Sequence, residues 1–98
     1  MKKGTIDQKK LRAAATRLRS VSHPMRIAII NLLEDNKKLN VTQIHTKLNM
    51  EQATASHHLS ILKNGGIVTF KKNGKECVYF IKENALNNLA ECIKTCGE

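Results

Sequence analysis

Aromatic side chains are nearly missing from this chain, which has no Trp, one Tyr and two Phe in 98 residues. Proteins that hold single-stranded nucleic acid stack its bases on aromatic platforms. Phe70, Tyr79 and Phe80 are too few for that, and all fall in strand-like runs where a small core would use them. Acidic residues are also short, 8 Asp plus Glu against 17 Lys plus Arg, for a formal charge of +9. That imbalance calls for a polyanionic partner, most often nucleic acid, and the lack of aromatics turns the expectation toward duplex DNA. No apolar run approaches the roughly 18 residues of a membrane span. The opening "MKKGTIDQKK" has no apolar signal core behind its lysines, so no membrane role and a cytoplasmic location are expected. There thiols stay reduced by default, and Cys77, Cys92 and Cys96 lack the repeated spacing of a structural zinc site. Paired carboxylates, a Gly-rich phosphate loop and a nucleophile beside a base are all missing, so no enzyme is expected.

What is present suits one small domain, residues 1–98, whose modest core a second copy would supplement. From Asp7 to about Ser22, the residues Leu11, Ala14, Ala15, Leu18 and Val21 recur at helical spacing opposite Lys9, Lys10, Arg12, Arg17 and Arg19. Pro24 breaks this helix, because it disfavours helical geometry at His23 yet suits the first turn of a new one. "PMRIAIINLLEDN" is that second helix, with Met25, Ile29, Leu32 and Leu33 inward. "NVTQIHTKLNM" reads as a short helix capped by Asn40 or Thr42, with Val41, Ile44 and Leu48 on one face. A tight connection leads to "QATASHHLSILKN", whose stripe is Ala55, Leu59 and Leu62, and Gly65 or Gly66 stops it in the left-handed conformation. "IVTFKKNGKECVYFI" is a β-hairpin about Asn73-Gly74, and "ENALNNLAECIKTC" a last helix with Leu86, Leu89, Ala90 and Ile93. The fold class is mainly α (α+β), about five helices with a hairpin in the C-terminal half.

Two short helices joined by a tight turn and followed by a basic hairpin make a winged helix-turn-helix. A helix fits the major groove, where base edges are distinguishable, and a hairpin bearing Lys71, Lys72 and Lys75 reaches the flanking backbone or minor groove. The bland reading of those lysines is a solvated turn. Here the residues resemble a known family. "LRSVSHPMRIAIINLL", "VTQIHTKLNMEQATASHHLSILKNGGIV" and "KKNGKECVYF" look like the ArsR/SmtB family of bacterial winged-helix repressors, over about residues 11 to 82. The sharpest parts are His-Pro-x-Arg, Ser-x-His-Leu-x-x-Leu and the Gly-Gly-Ile-Val that leads into the wing.

His57 and His58 are neighbours about 100° apart on a helix, so they do not converge on one ion as residues four apart would. His58 borders the inward stripe and belongs to the family motif, so a packed, hydrogen-bonded role is expected. His57 points away, where the family varies and often carries Arg, and is a DNA-contact candidate. Gln52, Thr54 and Ser56 open the same helix. Gln bonds adenine bidentately, and Thr or Ser serves bases or phosphates, while the bland reading is local capping. The resemblance places DNA contacts here, which favours Gln52, Thr54, His57 and, after them, Ser56. Thr42 opens the preceding helix, whose amide end suits a phosphate, or it is only a cap. Arg26 is either a backbone contact or a core-edge ion pair.

The resemblance also implies a homodimer built from the terminal helices, about 7–22 and 83–96, bound to an inverted-repeat operator and released by an inducer or a thiol change. The family's Cys-x-Cys metal site is replaced here by Asn40-Val41-Thr42, and its Asp/His zinc site has no counterpart in the last helix. No metal is expected at those standard positions, and no cofactor at all. Cys92 and Cys96, four apart on one face, are packing residues on the preferred reading. They form a thiol sensor with Cys77, or a site for arsenite, copper(I) or zinc, on the others. A competing reading of the whole chain is a winged-helix module for protein–protein contact without sequence-specific DNA binding. Basic residues on both the first helix and the wing argue against it.

Overall fold

In the computed structural model, which describes residues 8–88 and 90, the chain runs α1 (Gln8–Ser20), α2 (Pro24–Asn36), β1 (Leu39–Asn40), α3 (Val41–Lys47), α4 (Gln52–Asn64), β2 (Val68–Asn73) and β3 (Glu76–Ile81). A further helical stretch occupies 85–88 and 90. The order is that of a winged helix-turn-helix of the expected mainly α class. The expected last helix lies mostly outside the described residues, Cys92 and Cys96 with it.

Local chemistry sets each boundary. His23 is extended (φ −136°, ψ 132°) ahead of Pro24, and its Nδ1 accepts from the Met25 N–H, so one residue both starts and caps α2. Of the two cap candidates for α3, Asn40 fills the role. Its side chain accepts from the Gln43 N–H while Gln43 accepts from the Asn40 N–H, a reciprocal box that leaves Thr42 free of capping. Between α3 and α4, Asn49 takes a left-handed φ of 53°. His45 brackets that turn twice, its ring Nδ1 3.1 Å from the Met50 carbonyl and its own carbonyl accepting from the Met50 N–H. At the end of α4 Gly66 adopts the left-handed conformation (φ 79°), while Gly65 stays right-handed.

The hairpin turn is shifted by one residue from the expected Asn73-Gly74. Asn73 pairs with Glu76, so Gly74 and Lys75 are the central residues. Only Gly74 has positive φ (68°), the pattern of a type II′ turn, which asks for glycine first and leaves the second place to an ordinary residue. β1 was not expected: Leu39 and Asn40 pair with Tyr79 and Val78, giving a three-stranded sheet ordered β1-β3-β2.

The core lies between α2, α3, α4 and this sheet. Ile29, Leu33, Ile44, Leu59, Leu62, Ile67 and Val68 are fully enclosed, and Ile30, absent from the expected inward set of α2, is buried with them. Met25 and Leu32 are only half-buried. α1 meets this body at its end, where Ser20 is buried against Gly65. A Cβ on Gly65 would stand 2.3 Å from the Ser20 Oγ and 2.5 Å from its Cβ. Gly65→Ala is therefore expected to cost about 1–3 kcal/mol, because α1 must lift off α4. Urea unfolding checks it: Ser20→Gly in the same chain should recover part of the loss, and an unchanged midpoint for Gly65→Ala would refute the close-packing account.

Candidate nucleic-acid interface

α4 is divided lengthwise. Ala55, His58, Leu59 and Leu62 are buried on the core side, and Ala53, Ser56, His57 and Ser60 lie exposed opposite, as a helical period requires. Gln52 and Thr54 are exposed at the helix start. The capping alternative for them is not realised, since Glu51 precedes the helix with no side-chain cap and neither the Gln52 nor the Thr54 side chain is hydrogen-bonded among the described residues. Gln52, Thr54, Ser56 and Ser60 are thus presented by one rigid rod with no side-chain hydrogen-bond partner among the described residues, and His57 beside them meets the ring of His58. Thr42, the second residue of α3, is likewise exposed.

The wing adds cations at a fixed place. Along β2, Val68 and Phe70 face the helices and Lys72 follows on the same side, opposite Cys77, whereas Lys71 lies on the other side, opposite Val78. Lys75 sits in the turn, and all three lysines are exposed. Phe70 stacks on Tyr79 with centroids 5.4 Å apart, and Lys63 of α4 places its ammonium 5.5 Å from the Phe70 ring. That contact, not anticipated from the sequence, fixes the wing root against the end of α4. Asn40 adds another tie, donating from Nδ2 to Glu76 at the foot of β3. Cys77 is free and half-buried.

His58 is the packed, hydrogen-bonded residue its position implied. Its Nδ1 accepts from the Arg26 Nε at 3.3 Å, and its ring tilts against His23 with centroids 4.7 Å apart. His57 and His58 have centroids 6.1 Å apart, and no three His, Cys, Asp or Glu side chains gather around a common point among the described residues. Arg26 forms no ion pair among the described residues. Its Nη1 donates to the carbonyls of Arg19 (3.1 Å) and Ser20 (3.2 Å), so one guanidinium closes the end of α1 while its Nε holds the recognition helix. The paired His-Pro-x-Arg and Ser-x-His-Leu patterns are thereby one contact written in two places.

Burial holds the His58 pKa below its ordinary 6.5, with the charges of His23, Arg26 and His57 pushing the same way. A neutral imidazole is thus the folded form. The lower folded pKa means that the unfolded chain binds a proton before the native one does. Stability from this site is complete above 6.5 and is lost as pH falls through the lower folded value. Urea midpoints should accordingly be level near pH 7.5 and decline toward about pH 5, and His58→Gln should flatten the decline. Identical pH slopes in the two proteins would exclude His58 as its source.

Comparison with known proteins places this arrangement. The family model described as "Bacterial regulatory protein, arsR family" matches residues 23–69. The HTH-type transcriptional regulator MJ1325 of Methanocaldococcus jannaschii is 33% identical over 86% of this chain and 94% of its own. The transcriptional repressor PagR of Bacillus anthracis is 33% identical over 90% of this chain and 88% of its own. The crystal structure of PagR aligns with a TM-score of 0.74 at 32% identity, across 92% of this chain and 99% of that one. The homodimeric winged helix-turn-helix DNA-binding domain of Mb0332 from Mycobacterium bovis, solved in solution, aligns with a TM-score of 0.78 at 26% identity, across 98% of this chain and 90% of that one. With the helix-turn-helix, the wing and the Arg26–His58 tie all in place, this chain belongs to the ArsR family of bacterial regulatory proteins.

Proposed function

We infer that this chain is a homodimeric, sequence-specific DNA-binding transcriptional regulator that works as a repressor. The observation that carries the reading is the exposed polar face of α4 standing beside an exposed lysine wing, both fixed to one core. PagR, similar over nearly all of this chain, is a transcriptional repressor, and the Mb0332 domain is a homodimer. α1 and the last helix serve as the dimer surface. Two copies of α4 related by a two-fold axis then enter major grooves about 34 Å apart on an inverted repeat. Gln52, Thr54, Ser56 and His57 face base edges and nearby phosphates, Thr42 meets a phosphate at the start of α3, and Lys71, Lys72 and Lys75 meet the flanking backbone.

Repression ends when an inducer or a thiol change favours another dimer geometry. Cys77, half-buried opposite Lys72, is read as a packing residue, and no metal or other cofactor is assigned to the chain. The protein acts in the cytoplasm, and it has no catalytic role. Fluorescence anisotropy with the duplex upstream of its own gene tests the base-reading assignment. Gln52→Ala should lose about 1–3 kcal/mol on the operator and almost nothing on random duplex. Lys72→Ala should weaken both alike. Equal losses on the two duplexes for Gln52→Ala would remove Gln52 from the base-reading set.

A further inference from the structure

Between the end of α1, the start of α2 and the end of α4 lies a cleft of about 440 Å³, lined by none of the residues assigned to DNA. Ile61 forms its apolar floor, and Thr16, Arg19, Ser22, Arg26 and Asn64 stand around it, with no carboxylate among the lining side chains. Arg26 commits Nε and Nη1 to His58 and to the α1 carbonyls, which leaves the Nη2 N–H groups without a protein acceptor among the described residues. Arg19 is exposed, and no described residue engages its guanidinium.

Two helices end at this cleft, and each brings about half a negative charge. Those ends are already satisfied. Arg26 and the Ser20 hydroxyl bond carbonyls of α1, and the amides of Gly65, Gly66 and Ile67 bond those of α4. Two whole guanidinium charges therefore outweigh what remains of the dipoles. We propose that the cleft binds a small free oxyanion, a carboxylate or phosphate group on a compact metabolite, clamped between Arg19 and Arg26. The planar guanidinium forks match such groups bidentately, and the Thr16 hydroxyl with the Asn64 amide adds donors, while the Ser22 hydroxyl is held by the Arg19 carbonyl. The volume lies within the usual range for small-ligand sites.

A DNA phosphate carries the same chemistry but arrives from the wrong side. Asn64 closes α4 at the end opposite Gln52, roughly 18 Å away along a helix of this length. The cleft also has α1 for one wall and α4 for another, so an occupant sets how the dimer-forming helix seats on the DNA-reading one. Resting on the regulator reading above, occupation then changes operator affinity, and DNA changes anion affinity by the same factor.

The test uses the full, isotope-labelled chain without DNA, titrated with succinate and with inorganic phosphate against chloride of matched ionic strength. Saturable amide shifts confined to residues 16–26 and 61–66 are expected, with Arg19→Gln weakening the affinity about tenfold while the spectrum stays folded. Shifts that follow ionic strength alone, shifts centred on Lys71 to Lys75, or an Arg19→Gln affinity equal to the parent would each overturn the site. At saturation, operator affinity should change by about fivefold or more, and an unchanged value would overturn the coupling. Because the first arm contains no DNA, failure to bind DNA faults the regulator reading, whereas failure to bind the anion faults the cleft.

Discussion

Raising monovalent salt from about 50 to 200 mM is expected to weaken operator binding by about 10⁴-fold. Each subunit offers Lys71, Lys72 and Lys75 on the wing, together with the amide ends of α3 and α4, and these suffice for about four phosphates per subunit. A dimer then displaces counterions from about eight, for a slope of log affinity against log salt near −7. The sequence makes so steep a dependence reasonable, since the chain carries a net charge of +9. Anisotropy at five or so salt concentrations measures the slope, and Lys75→Ala should make it shallower by about 2, one contact in each subunit. A slope near −2 would leave the wing lysines as solvated turn residues and shift the binding energy to α4 alone.

Replacing Arg26 by Ala should cost about 2–3 kcal/mol of folding stability, a large share of what a domain of this size possesses. Its three hydrogen bonds join separate parts of the chain, α1 through the Arg19 and Ser20 carbonyls and α4 through His58. The loss exceeds that of an ordinary surface pair because buried His58 is left with an acceptor and no donor. Arg26→Lys should recover little, since a single ammonium on a flexible stem cannot serve three acceptors that a planar fork spans. Urea unfolding with DNA-free protein decides the matter. If Arg26→Ala keeps its urea midpoint but binds every duplex more weakly, Arg26 is a phosphate contact and the tie between α1 and α4 is incidental.

The helices and the hairpin were legible in the sequence because each rests on local signals. Pro24 after His23, the apolar stripe Ala55–Leu59–Leu62 and the glycines after Asn64 are all read within a few residues of where they act. β1 was not legible. Two residues carry no alternation, and Leu39 and Asn40 become a strand only because Tyr79 and Val78 arrive beside them. The turn was displaced for a related reason: Asn-Gly favours a turn with both residues left-handed, but the pairing of Asn73 with Glu76 makes Gly-Lys the corner. Ser20 gave no sign of burial, because what buries it is the missing side chain of Gly65, some forty-five residues on. Arg26 was noticed but unassignable, as its three acceptors are scattered over two other helices. Among the DNA candidates, sequence placed Gln52, Thr54, Ser56 and His57 on one helix. It could not reveal that the side chains of Gln52, Thr54 and Ser56 have no partner among the described residues, which is a property of the folded surface.

Asn40 ends β1, caps α3 and donates to Glu76 in the wing, so the strand that carries the wing is stitched to the first residue of the helix-turn-helix. Lys63 closes the other side on Phe70. Each subunit therefore behaves as a caliper with a locked screw: the gap between recognition helix and wing tip is set when the monomer folds. A regulatory signal can open or close the angle between two such calipers, but the width of either jaw is not among the variables it controls. Operators for this protein should then tolerate no insertion inside a half-site, while on the function proposed above the spacing between half-sites is the coordinate on which induction would act.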